Sequence, residues 1–271
     1  MYFYEYLKNK ISGKSNKEIV AKLNLFHPIF KNLDEVTFSR WINNKITPSN
    51  KKIALIVLFF KDDYIDTITN IELKITSIFK KNLEIKKRKI MDPYLKNYEV
   101  LETKEFESLA VFPNSLPIQA KKNMEIALSK ISKNIEKTIL FQGVKSYLYC
   151  FYFKLKSPLN WEELNIKLYN GYYILNAPTY LTHIENSDEA LYALTNYTCE
   201  QQLDKVKNTT VILMERTNEF DKYYQTFGYS YHISTIINNK KYYIYKASLI
   251  DILTSDRVIN TIKKFNTSNG L

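Results

Sequence analysis

Apolar residues recur at helical spacing through the first third of the chain. Phe3, Tyr6 and Leu7 share one face of a short helix over residues 2–10. Gly13 punctuates the chain, and Ser15-Asn16-Lys17-Glu18 predicts a capping box in which Ser15 and Glu18 exchange backbone bonds. Ile19, Val20 and Leu23 follow, so a second helix is expected over residues 16–24. Asp34 opens a third. Val36 or Thr37, Phe38, Trp41 and Ile42 fall on its apolar face, while Glu35, Ser39, Arg40 and Asn43 face outward. Thr47-Pro48-Ser49 ends this unit. Ser49 or Asn50 caps the next helix, KKIALIVLFF, which is apolar nearly all round and suits closing a small bundle. A stripe of Ile71, Ile75, Ile78 or Phe79, and Asn82 or Leu83 carries mixed helix onward to a break at Asp92-Pro93. Such a stripe suits pairing two chains or packing on its own domain, and the Lys86–Lys89 cluster suits DNA backbone or plain solvation.

From about residue 98 the pattern changes. Aromatic and β-branched runs (KTILFQ, SYLYCFYFKL, GYYILN, TYLTHI) alternate with helical patterns at 119–137 and 187–205. Residues 209–215, TTVILME, read as a buried strand. Residues 218–227 read as a helix ending at Gly228, and 229–235 with 241–246 read as a hairpin about Asn238-Asn239. A last helix over 248–265 has Leu249, Ile252, Leu253, Val258 and Ile262 for docking. The fold class expected is an α N-terminal bundle plus an α/β (or α+β) C-terminal domain. The divisions are 1–62, a helical connector at 63–95, and 96–271.

Composition narrows the chemistry. Five Gly in 271 residues nearly exclude glycine-built phosphate loops. Two cysteines, Cys150 and Cys199, are too few for a stapled secreted domain, so free thiols in a reducing cytoplasm are expected. MYFYEYLKNK is no signal peptide, and the longest apolar run, residues 53–60, cannot span a bilayer. A cytoplasmic chain with no membrane partner is expected. Three scattered histidines form no metal or triad pattern, so no metal is expected. Glu162-Glu163 and Asp188-Glu189 read as helix N-terminal charges.

Charge is unevenly placed. The total is +11; residues 1–95 hold 18 Lys and Arg against 10 Asp and Glu, a net +8, leaving +3 for the rest. An AT-rich coding sequence accounts for part of the lysine. A localised positive field nonetheless attracts a polyanion.

The residues of the first domain carry a resemblance. NKEIVAKLN from Asn16, followed by VTFSRWINNKITPS from Val36 to Ser49, resembles the lambda-repressor-like helix-turn-helix family, the xenobiotic-response-element class of regulators. Thr37, Phe38, Ser39, Arg40, Trp41, Asn43, Lys45, Pro48 and Ser49 match its recognition-helix pattern. The resemblance implies a helix in the major groove, with Glu35, Val36, Thr37 and Arg40 at base edges. Ser15, Asn16 and Lys17 would touch phosphate, and Asn43, Asn44 and Lys45 would grip the flanking backbone. It also implies a homodimer on double-stranded DNA. Two departures stand out. The connection at 25–33 is about nine residues where the family uses three or four, and it leaves room for a short helical turn after Pro28. Asn24 and Asn44 stand where glycine is common, and Asn tolerates a left-handed backbone.

In the second domain, strand, helix ending Tyr224-Gln225-Thr226-Phe227-Gly228-Tyr229, then hairpin resembles the C-terminal half of a GNAT acyltransferase. The resemblance implies a mixed sheet and would put Tyr224 at the family's general-acid position near coenzyme A sulfur. The family's pyrophosphate loop would fall at ENSDEALYALTNY, which has no glycine or arginine and carries Glu185, Asp188 and Glu189. A degenerate domain without coenzyme is therefore expected, with Tyr224 a packed tyrosine. The expected function is sequence-specific transcription regulation, the second domain sensing a small molecule or contacting a protein. The alternative is an active acyltransferase, using acetyl-coenzyme A, with a DNA-targeting head. A third reading, a DNA-processing factor, lacks a metal-binding carboxylate motif.

Overall fold

Two separate units make up the chain in the computed structural model. It describes residues 1–73, 99–103, 118–142, 147–176, 195, 203–215, 217–218 and 221–267. One unit draws on Met1–Ile90 and Thr254–Leu271, the other on Met91–Leu253. The first is helical and the second is a mixed α/β sheet domain.

The first unit contains α1 (Phe3–Ile11), α2 (Asn16–Phe26), a 3-10 turn at Pro28–Phe30, α3 (Glu35–Ile42), α4 (Asn50–Phe60) and α5 (Tyr64–Asn70). The predicted stripes are buried on α1 (Phe3, Tyr6, Leu7) and α2 (Ile19, Val20, Leu23); on α3 only Phe38 and Trp41 are, while Thr37 and Ile42 are half-buried and Val36 is exposed. Six residues of α4, Ile53 to Leu58, are buried in succession, so this helix is the centre of the bundle. Asp62 ties α1 to the end of α4. It accepts from the Tyr6 hydroxyl at 2.7 Å and from Lys10 Nζ at 2.5 Å. Burial and that hydrogen bond push the Tyr6 hydroxyl pKa well above the ordinary tyrosine value. Tyr64, Ile68 and Ile71 are buried, so this part of the connector packs on its own unit.

The capping box does not form. Ser15 caps α2 by backbone conformation alone, with no side-chain cap bond, and the Glu18 carboxylate pairs instead with Lys22, one turn on, at 2.5 Å. Asn24 is not left-handed either. It lies inside α2, which runs to Phe26, and its amide donates to the Leu33 carbonyl at 3.3 Å. Asn44 does adopt the left-handed conformation, with φ 54°.

The largest difference from the sequence pattern is at the C-terminus. The helix predicted over 248–265 is two: α9 (Leu249–Leu253), in the sheet unit, and α10 (Asp256–Thr267), in the helical unit. Ser255 lies between them, and its hydroxyl accepts from the Val258 amide in the first turn of α10. On α10, Val258, Ile259 and Ile262 are fully buried. Asn50 Nδ2 on α4 donates to Asp256 Oδ1 at 3.1 Å. Lys263 Nζ donates to the carbonyls of Thr69 and Ile71 at 3.3 and 2.6 Å, satisfying the end of α5 as a C-terminal cation does. Burial pulls the Lys263 pKa below the usual lysine value.

The second unit is built on β1 (Glu99–Thr103), α6 (Ile118–Leu128), β2 (Ile135–Gln142), β3 (Tyr147–Leu155), β4 (Leu159–Trp161), β5 (Ile166–Leu168), β6 (Gly171–Asn176), α7 (Leu203–Lys207), β7 (Thr209–Glu215), α8 (Asp221–Gln225), β8 (Ser230–Ile237), β9 (Lys240–Ser248) and α9. Among the described residues, seven strands form one sheet in the order β1-β2-β3-β6-β7-β9-β8. Every neighbouring pair is antiparallel except β6–β7. One face packs Phe151, Phe153, Leu175, Ile212, Met214 and Ile244 against α6 residue Leu128 and the Trp161–Leu164 corner. Asn238 and Asn239 turn the β8–β9 hairpin with φ 48° and 59°, the paired left-handed residues of a type I′ turn. Buried Asn123 pins that turn to α6. It accepts from Asn238 at 2.9 Å and donates to the Tyr242 hydroxyl at 2.7 Å. The helix expected over 119–137 stops at Leu128, since Ile135 already pairs with β3. The β4–β5 hairpin has three-residue strands, too short to show a period. TYLTHI, the acidic segment after it, the stripe beyond Leu73 and the Lys86–Lys89 cluster lie outside the described residues. No helix among the described residues is long and apolar enough to cross a membrane.

Candidate nucleic-acid interface

Helix α3 is aimed by both of its ends and by its inner face. Asp34 caps it, accepting from the Thr37 amide at 2.6 Å. Phe38 and Trp41 are buried edge to face, ring centroids 6.1 Å apart, which fixes the rotation of the helix about its axis. Lys52 Nζ sits 5.7 Å from the Trp41 ring centroid. At the far end, left-handed Asn44 reverses the chain, and the Lys45 amide returns to the Arg40 carbonyl at 2.8 Å.

The enlarged connection before α3 is stitched down. His27 Nδ1 accepts from the Ile29 amide at 3.2 Å, and the Leu33 amide donates to the Phe30 carbonyl at 2.7 Å. Phe30 is fully buried and Leu33 nearly so. The extra residues thus form a 3-10 turn anchored in the core.

With the inner face committed, the outer face is left to solvent. Glu35, Val36, Arg40, Asn43 and Lys45 are exposed, and Ser39 is half-buried. Together with Asn16 from the start of α2 they line one concavity of about 420 Å³. Arg40 and Lys45 make it basic, and no salt bridge joins Glu35 to Arg40 among the described residues. The Asn43 amide folds back to the Ser39 carbonyl at 2.9 Å. Lys22 holds the Glu18 carboxyl below the usual carboxylate range, so the acid nearest the start of α2 is countered by its own lysine.

Six of the ten residues expected to touch DNA therefore meet in one surface: Asn16, Glu35, Val36, Arg40, Asn43 and Lys45. Ser39 joins them, and its outward position on the helical wheel was the signal for it. Ser15, Lys17, Thr37 and Asn44 do not line it. Ser15 and Lys17 are exposed beside it, and the Thr37 amide is spent on Asp34. Asn44 opens instead on a smaller cavity of about 230 Å³ with Tyr2, Trp41 and Ile46.

The Asp34 cap is testable. Its carboxyl lies below the usual aspartate value because it accepts from Thr37. A lowered folded pKa gives stability that is present above the unfolded pKa of about 4 and lost as pH falls through the folded value. Asp34→Ala is expected to lower the melting temperature at pH 7 by roughly 2–6 °C. The gap to wild type should narrow as pH falls below about 4 and close once pH has passed the folded value, as read by circular dichroism.

In the sheet unit, Tyr224 on α8 donates to Glu215 Oε1 at 2.7 Å and packs against Tyr245 and Tyr229. Tyr245 in turn donates to the Asp221 carboxylate. Among the described residues, no cluster of His, Cys, Asp and Glu could hold a metal ion.

No family model and no curated protein matches this chain. Among solved structures, it aligns with an uncharacterized protein from Bacillus halodurans at 12% identity and a TM-score of 0.32, over 55% of this chain and 75% of that one. A likeness that weak supports no functional transfer.

Proposed function

We propose that this chain is a sequence-specific DNA-binding transcription regulator of lambda-repressor-like type, with α3 in the major groove. The observation that carries the reading is the single concavity in which Asn16, Glu35, Val36, Arg40, Asn43 and Lys45 meet. It supports the reading because these residues share one basic face of a helix whose other face is locked in the core, where base-edge readers and phosphate grips would have to sit. The regulator acts in the cytoplasm, at the nucleoid, as a homodimer on a two-fold site. Its sheet unit is a degenerate GNAT-like domain that senses a small molecule or contacts another protein. The sheet order, its one parallel pair, and the passage from β7 through α8 to a hairpin that returns beside β7 support that likeness.

The test is selection from random DNA duplexes by the full chain. One short motif should be enriched, and affinity should fall steeply with salt, since each neutralised phosphate releases a counterion. Binding without enrichment would remove sequence specificity, and no binding would remove the proposal.

The same topology favours one second reading, an active acyltransferase with a DNA-targeting head. Against it, the Tyr224 hydroxyl already donates to Glu215. Titrating the full chain with acetyl-coenzyme A by calorimetry separates the two. The regulator predicts no saturable heat, and tight binding would restore the enzyme.

A further inference from the structure

We propose that Val36 reads the 5-methyl group of a thymine and so fixes one T·A pair of the target site. This rests on the DNA-binding reading above and deepens it. Val36 stands in the first turn of α3 and is 62% exposed. Exposed Val contributes no burial, and its branched side chain is a poorer helix former than Ala. Other large apolar residues of this unit are exposed too, Leu25 and Ile46 among them, but of these only Val36 lines the concavity. Its neighbours there are polar or charged.

Within a DNA interface, such an apolar group gains most from an apolar group on the base edge it faces. Of the four bases, thymine alone presents a methyl group at the major-groove edge. Glu35, the next residue, can only accept. It suits the amino group of the adenine in that same pair, or of a neighbouring cytosine, and it disfavours the thymine O4 on its own. Arg40 lies four residues further along, about 6 Å at 1.5 Å per residue, so its base falls roughly one to two pairs from the thymine.

The experiment uses the full chain, as wild type and as Val36→Ala, in parallel selections from random duplexes. The wild-type motif should contain an invariant thymine. The variant should lose the preference at that pair and keep the rest of the motif. Replacing that thymine by deoxyuridine removes only the methyl. It should weaken wild type about fourfold, the worth of one buried methyl, and the variant by less than about twofold. Because Val36 is exposed, the variant should melt with wild type. A motif that survives Val36→Ala unchanged, or a wild type indifferent to deoxyuridine at every thymine, overturns the assignment and leaves DNA binding standing. No enriched motif with either protein overturns the DNA-binding reading and this one with it.

Discussion

Ending the chain after Leu253 is expected to unfold the helical unit and abolish the proposed DNA binding, although every residue proposed to touch DNA remains. The reason is α10. Its Val258, Ile259 and Ile262 are fully buried, and it docks on α4 and α5 through Asn50–Asp256 and through Lys263 on the α5 carbonyls. Burying three such side chains is worth roughly 2 kcal/mol each, about 6 kcal/mol together. That equals most of the stability of a typical small domain. Removal also leaves the carbonyls of Thr69 and Ile71 without their cation and opens apolar surface on α4. The milder Ile259→Ala should cost about 2–5 kcal/mol, which separates loss of packing from loss of chain length. Denaturant melts followed by circular dichroism, with fluorescence anisotropy on duplex DNA, read both effects. A truncated chain that melts and binds like the full one would show that α10 is an ornament of the helical unit.

Arg40→Ala is expected to weaken binding to the selected site by roughly 5- to 150-fold, the 1–3 kcal/mol of a bidentate base contact. Arg40 is exposed on the outer face of α3 and joins no salt bridge among the described residues. The fold therefore should not notice its loss, and the melting temperature should hold. The loss should be confined to sites carrying the preferred base, so specificity relaxes at that one position. Arg40→Lys keeps the charge and discards the planar fork, and should recover little of the discrimination. If Arg40→Ala weakened all sequences equally, Arg40 would be a phosphate contact instead.

The face of α3 was readable because Phe38 and Trp41 repeat at helical spacing behind a strong N-cap at Asp34. Once the inner face is known, the outer one follows. The same periodicity marks Val258 and Ile262 as apolar positions, yet it cannot say which unit they dock on. Periodicity reports that a face is buried and not by what, and the partners of α10 lie about two hundred residues away in the sequence. Local competition was also hidden. Glu18 has two partners within reach, the start of its helix and Lys22, and spacing alone does not rank them; in the structure it pairs with Lys22. Asn24 resembles a turn residue in sequence, yet α2 runs two residues past it and its amide serves the Leu33 carbonyl. The Asn238-Asn239 turn was legible because two consecutive left-handed residues leave few choices of side chain. The β4–β5 hairpin was not, since three-residue strands are shorter than any pattern.

If the outer face of α3 reads DNA, as proposed, its residues decide where the protein sits on the genome. Genome-wide occupancy of the full chain in its native cells, beside the Arg40→Ala variant, tests it most directly. Wild type should occupy discrete sites at promoters that share one motif, and these should fade together in the variant. Occupancy with no discrete sites under any growth condition, or sites unchanged by Arg40→Ala, would contradict it.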